Sequence, residues 1–392
     1  MPPRSGSSPQ DAGAQTLGDH RLLEKGVRII APGGWTRQGG IESYARAVVL
    51  WLRARRPDLS VDLVDSRGEG GPVTWPLRLL PAMARLTLDG LRGRAAVAHI
   101  NMSERSSVVR KGAMVLAARL GGLRVVLHHH GADLIPWYEG APGFMRLVTR
   151  WAVRGADENV VLGRMWRDWL IGTLGAGPDR VRVLYNGVAD LSDAPTPLSE
   201  AHEPFRPILL AVLSDRKGVG EYLQALAALK AEGLPIAATC AGGGPELERF
   251  RRMARALGLS AVCDFPGWVA ADDVPAALSA HHAYVLPSHR EGLPIGILEA
   301  MRAARPVVAT DVGSIAEAIP PDSGVTLVPP GDVAALTAAL RRLAGDPALR
   351  RAEGRAARER YLASFSLDAH MAQLLDIYTA RDGALAAAAE GA

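Results

Sequence analysis

Short β-branched runs alternate with longer amphipathic stretches through this 392-residue chain, halt at a proline-rich segment, and then begin again. Strand patterns fall near 26–32 (GVRIIAP), 60–65, 96–101 (AVAHIN), 124–130 (RVVLHHH), 158–162 and 181–185, with helical patterns between them, as at 41–56 and 106–120. Such alternation predicts a parallel sheet with helices on both faces. Residues 189–206 (ADLSDAPTPLSEAHEPFR) hold three prolines and no apolar period, as an interdomain linker would. The second round has strand patterns near 207–213 (PILLAVL), 235–241, 261–265, 283–287 (AYVLP), 306–309 (PVVA) and 325–328, with helices at 332–344 and 348–363. The expected fold class is α/β, with two doubly wound, Rossmann-like domains at 25–188 and 207–365 facing a cleft. A polar tail (1–24) precedes them, and a final helix at 366–380 with a frayed, alanine-rich end closes the chain at 392. Ligands of such sheets bind beyond the carboxyl ends of the strands.

Composition removes several classes. The chain is 48% apolar and 22% charged, as globular proteins are. No run approaches the roughly 18–20 apolar residues of a membrane span. The first two dozen residues are polar and rich in Pro, Gly and Ser, without the apolar core of a secretory signal, so a disordered tail and a cytoplasmic protein are expected. Cys240 and Cys263 sit in apolar strand patterns and read as reduced core residues. Charge is uneven: residues 1–200 hold 26 Lys+Arg against 19 Asp+Glu (+7), and residues 201–392 hold 19 against 22 (−3). A basic first half suggests an anionic partner. The arginines are scattered on helical patterns with no nucleic-acid-binding signature beside them, so nucleic acid is not expected. The inner face of a membrane or a phosphate-bearing lipid fits better; a merely solvated surface is the other reading.

Common catalytic signatures are missing. The sequence has no GxxxxGK[ST] phosphate loop, no GxSxG elbow, no HExxH and no GxGxxG. No Asp-x-Asp pair occurs, so no metal and no cofactor is expected, and any diphosphate must be neutralised by Arg, Lys and backbone N–H groups.

The richest constellation is Ser288–Ala300 (SHREGLPIGILEA), a turn after an apolar strand that runs into a helix near Ile295. Amides at 292–295 would face the cleft at a helix amino end, where anions bind. Glu291 lies in the turn and Glu299 about one turn inside the helix; a carboxylate there suits adjacent sugar hydroxyls. Arg216 and Lys217 follow a strand and precede Gly218, a place from which two cations can neutralise a diphosphate leaving group. His128, His129 and His130 end another strand. Neighbouring strand residues point to opposite faces, so the three cannot all converge on a metal.

Ser288–Ala300 resembles the Glu-x7-Glu motif of family 4 retaining glycosyltransferases, which have the GT-B fold. ARPVVATDVGSIAEAI and GVTLVPPGDVAAL after it are similar to that family, as are Gly33–Gly40 with IESYARAVV, HHHGAD at 128–133, YNGV at 185–188 and SDRKGV at 214–219. The likeness covers about residues 26–365. It implies that Glu299 binds the ribose hydroxyls, that Glu291 holds the transferred sugar, and that the amides of Gly292, Leu293 and Ile295 line the donor. It selects His130 to reach the donor sugar, and Gly39 and Gly40, in the loop begun by Gly33 and Gly34, to approach the donor phosphate. Gly267, Trp268 and Val269 would meet the base through their backbone; the similar loop Gly242–Gly244 is structural or lies near the nucleotide. The family usually carries a second Arg where this chain has Val212; Arg216 is the candidate to cover it.

The function so implied is a metal-independent hexosyltransferase that retains configuration, with a UDP- or GDP-sugar donor. The acceptor would be a saccharide bound by the basic half. NMSERSSVVRK at 101–111 and HHHGADLIPWYEG resemble bacterial members that extend polyprenyl-diphosphate-linked saccharides for exopolysaccharide, which places the protein at the inner membrane face. A GT-B sugar-nucleotide epimerase and a non-catalytic nucleotide-sugar-binding protein are the alternatives.

Overall fold

A computed structural model describes residues 25–35, 39–67, 75–191 and 204–390. The tail expected at 1–24 and most of the linker expected at 189–206 lie outside the described residues. The first half contains β1 (Val27–Ala31), α1 (Gly40–Arg55), β2 (Val61–Asp65), α2 (Trp75–Leu91), β3 (Val97–Met102), α3 (Ser106–Leu120), β4 (Arg124–His129), α4 (Leu134–Gly140), α5 (Gly143–Gly155), β5 (Glu158–Val161), α6 (Arg164–Trp169) and β6 (Val181–Val183). The second contains β7 (Pro207–Leu210), α7 (Val219–Ala231), β8 (Ala238–Ala241), α8 (Leu247–Ala256), β9 (Cys263–Gly267), α9 (Val274–Ser279), β10 (Ala283–Leu286), α10 (Ile295–Arg302), β11 (Val307–Thr310), α11 (Ile315–Ala318), β12 (Val325–Val328), α12 (Val333–Gly345), α13 (Pro347–Ser364) and α14 (Leu367–Glu390).

The strands form two six-stranded parallel sheets, ordered β2-β1-β3-β4-β5-β6 and β12-β11-β10-β7-β8-β9. The chain leaves β1 to opposite sides for β2 and β3, and leaves β7 to opposite sides for β8 and β10. Each reversal opens a crevice at the carboxyl edge of its sheet, the usual ligand position in this architecture. Helices cover both faces of each sheet, so β3 and β4 are buried along their whole length. Cys240 and Cys263 are free and buried on β8 and β9. Burial pushes the Cys263 thiol up to about 12.

Two buried ion pairs lie inside the first half. Arg28 Nε meets Asp89 Oδ2 at 2.7 Å, and Arg124 Nη2 meets Glu158 Oε1 at 2.9 Å. Asp89→Ala should therefore destabilise the protein by about 3–5 kcal/mol, because Arg28 is left buried without its counter-charge. Urea unfolding measures this.

The final helix packs away from the half that precedes it. Leu367, Met371, Leu374, Leu375 and Tyr378 join the core formed by β1 and α1 of the first half. The two crossings between halves lie side by side: Val188 N donates to Phe365 O at 3.0 Å, and Leu367 N donates to Val188 O at 2.8 Å. α14 covers the final helix expected at 366–380.

Candidate active site

The second half builds one wall from its crevice between β7 and β10. After β10 the chain turns through Ser288–Pro294 and enters α10, whose first amides have no intrahelical partner. Glu291 is buried in this turn. Its Oε1 accepts from Lys217 Nζ at 2.5 Å, and its Oε2 lies 3.7 Å from Arg216 Nη1. Arg216 also donates to Arg290 O at 2.8 Å. Both cations come from the turn after β7, which ends at Gly218 with φ 69°. A Cβ there would lie 1.9 Å from Pro287 O, so glycine brings the two loops together. Val212, where a second arginine was expected, lines the cleft with its side chain exposed; Arg216 supplies the charge beside Glu291 instead.

Glu299 sits on α10 with no hydrogen-bond partner for its carboxylate among the described residues. Burial holds its carboxyl above the ordinary range, and Arg302 partly offsets that. Its charged form thus gains from any hydroxyl donors a ligand brings. Gly313, at φ 64°, presses against the same turn: a Cβ would lie 2.1 Å from Glu291 O. Gly313→Ala should displace Glu291. We expect a stability loss above about 1 kcal/mol and a raised donor KM, read by thermal unfolding and steady-state kinetics.

The first half supplies the facing wall. His130 follows β4, and its Nε2 lies 2.8 Å from Asn101 Oδ1. Asn101 Nδ2 donates to Ile30 O at 3.2 Å, so its Oδ1 accepts and His130 carries its proton on Nε2. Nδ1 is left as an acceptor. Burial, then His99, His129, His370 and Lys111, hold His130 well below the ordinary imidazole range, so it is neutral at physiological pH. The three histidines separate as strand geometry requires: the His128 and His130 rings lie against each other, tilted, with centroids 4.0 Å apart, whereas His129 pairs with Asn159 at 3.0 Å.

The walls enclose a cleft of about 480 Å³. Gly39, Gly40, His130, Arg216, Lys217, Val269, Glu291, Gly292, Leu293, Ile295 and Glu299 all line it. Gly267 does not: its carbonyl accepts from Gly242 N at 2.7 Å, and with φ 85° it shapes the turn that presents Trp268 and Val269. Several lining residues were not singled out from sequence, notably Tyr44, Ser103, Glu104, Asp133 and Asn186. Ser103 and Glu104 follow directly on β3, so the rule that ligands meet the carboxyl ends of strands could have found them. Contacts across the halves fix the walls. Asn186 Nδ2 donates to Leu293 O at 2.8 Å, and Arg290 Nε pairs with Asp133 Oδ1 at 2.6 Å.

Comparison with known proteins agrees with this architecture. Residues 38–190 match the family described as Glycosyltransferase Family 4, and residues 197–360 match Glycosyl transferases group 1. The alpha-D-kanosaminyltransferase of Streptomyces kanamyceticus is 32% identical over 279 residues, which is 67% of this chain and 72% of that protein. The GDP-mannose-dependent alpha-(1-6)-phosphatidylinositol monomannoside mannosyltransferase of Mycolicibacterium smegmatis is 30% identical over 285 residues, 68% of this chain and 72% of that one. Other relatives are matched over less of their length, 59% for a Mycobacterium tuberculosis glycogen synthase. Among solved structures, Anabaena HepE in complex with UDP superposes with a TM-score of 0.71 at 18% identity, covering 90% of this chain and 98% of that one. With two Rossmann-like domains around a shared cleft and relatives of this identity and coverage, the chain belongs to glycosyltransferase family 4 and has the GT-B fold.

Proposed function

We propose that the cleft transfers a hexose from a UDP- or GDP-sugar to a saccharide acceptor with retention of configuration. The observation that carries this reading is the meeting of Glu291, Glu299, Arg216 and Lys217 from one half with His130 from the other in a single cleft. In this reading Glu299 accepts from the ribose hydroxyls. The free amides before α10, with Arg216 and Lys217, receive the diphosphate. Glu291 orients the sugar, and His130 Nδ1 accepts from one of its hydroxyls. The sugar–diphosphate C–O bond breaks as the acceptor oxygen bonds on the same face, and the departing phosphate oxygen takes the acceptor's proton. No enzymic nucleophile is required. The mycolicibacterial relative is GDP-mannose-dependent and the HepE structure holds UDP, which supports the choice of donors.

The acceptor in this proposal is lipid-linked, a polyprenyl-diphosphate saccharide of exopolysaccharide synthesis, presented at the inner membrane face. The basic first half supports it, and the lipid acceptor in the mannosyltransferase's name is a parallel case. No helix among the described residues is long and apolar enough to cross a membrane, so attachment would be peripheral.

The test is a panel of UDP- and GDP-hexoses offered with polyprenyl-diphosphate saccharides in excess EDTA, read by mass spectrometry. We expect the acceptor to gain one hexose at full rate. An absolute need for manganese or magnesium would refute the metal-independent chemistry. Isomerised sugar nucleotide with no transfer would favour the epimerase.

A further inference from the structure

We propose that the outer face formed by α2, α3 and α5 docks the protein onto an anionic lipid bilayer. This deepens the lipid-linked acceptor reading and rests on it for its purpose, although the surface is argued from its own residues.

Among the described residues fifteen large apolar side chains are exposed, and nine lie on these three helices. On α2 the inward residues Leu79, Ala82 and Leu86 pack on the sheet. Directly opposite, Leu77, Leu80, Ala84, Leu88 and Leu91 recur at three- and four-residue spacing and face outward. Leu77, Leu80 and Leu91 are 74%, 65% and 67% exposed. A helix apolar on both faces needs a second apolar neighbour, and the described residues supply only one. The pattern repeats on α5, where Phe144, Leu147 and Trp151 form an outward stripe, Phe144 being 60% and Leu147 69% exposed. Between these helices, α3 adds exposed Leu116 and Leu120.

Charge selects the occupant. Arg78 and Arg85 run along one side of the α2 stripe, and Arg146, Arg150 and Arg154 recur at four-residue spacing beside the α5 stripe. Arg78, Arg146 and Arg150 have no ion pair among the described residues; Arg85 pairs with Asp62. The three helices carry one acidic residue, Asp89, and it is buried against Arg28. Exposed leucines and aromatics flanked by arginines, with no exposed carboxylate on the three helices themselves, match an anionic bilayer surface: apolar groups enter the headgroup boundary while guanidinium groups meet phosphate. A second copy of the same face would set arginine against arginine. The placement also suits the reaction. α3 begins just after Ser103 and Glu104, which line the cleft, so this face and the cleft share one edge of the sheet.

Sedimentation with equimolar phosphatidylglycerol–phosphatidylcholine vesicles tests the proposal, using full-length protein, the L80E/L147E variant and the R146E/R150E variant. The parent should bind these vesicles and not pure phosphatidylcholine. Each double variant should partition at least about ten-fold less, because inserted apolar groups or attracting charges have been reversed. Donor hydrolysis in the absence of membrane should match the parent in both, which separates loss of docking from loss of the glycosyltransferase site. Parent protein that ignores anionic vesicles at low salt overturns the proposal. So does vesicle binding that both double variants retain. Self-association abolished by the same substitutions, without vesicle binding, would assign the face to a contact between copies and overturn it equally.

Discussion

Replacing Lys217 with alanine should lower kcat about 100- to 1,000-fold while donor KM changes far less. The ammonium stands 2.5 Å from Glu291 Oε1, at the amino end of α10, where a donor diphosphate would lie. Negative charge on that diphosphate grows as the bond to the sugar breaks, so a cation there contributes more in the transition state than in the bound donor. The turn is held by Gly218, and the lysine is not part of either core, so the variant should fold. It leaves Glu291 with Arg216 at 3.7 Å, a remaining charge that keeps the residual rate above background. Steady-state kinetics across donor concentration, after circular dichroism confirms folding, gives both constants. A rise in KM with kcat unchanged would mean that Lys217 only binds the ground state.

Glu299→Gln should act differently, weakening UDP or GDP binding itself by about 10- to 150-fold. A hydrogen bond to a charged group contributes roughly 1.5–3 kcal/mol, and the amide cannot accept two such bonds at full strength. Calorimetry with free nucleotide reads this directly. Glu291→Gln is the control: nucleotide affinity should stay near that of the parent while turnover falls, since the sugar loses its orientation. The pH dependence follows from burial. Burial raises the Glu299 carboxyl above its ordinary value, so below that raised value a proton on it must leave before the hydroxyls can donate. Parent affinity should therefore rise with pH up to that raised value and level off above it. Glu299→Gln should remove the slope.

The parts of the site legible from sequence are those made by one continuous stretch. Pro287 to Glu299 encodes a strand end, a turn and a helix start within a few residues, so placing Glu291 and Glu299 together needs no knowledge of the rest of the fold. Alternation of strand side chains showed that the three histidines cannot converge, and the family resemblance, not the spacing, singled out His130. What sequence did not show are pairings between distant segments. Arg290 with Asp133, and Asn186 with Leu293, join residues over a hundred apart, and no local period announces them. The same holds for α14. Its apolar residues announce a buried helix, and only the folded chain shows that they complete the first half, with Tyr378 on His99 at 2.6 Å and His370 on Tyr44 at 2.9 Å. Gly267 is a further case: its neighbours Trp268 and Val269 line the cleft, while its own carbonyl accepts from Gly242 N.

Proton NMR of the product formed from an α-linked nucleotide hexose is the most direct test of the proposed chemistry. An acceptor bearing one new hexose with an α anomeric signal from the first turnovers is the predicted result, since attack and departure share one face of the sugar. A β-linked product, or an epimerised donor with no new glycosidic bond, would contradict it.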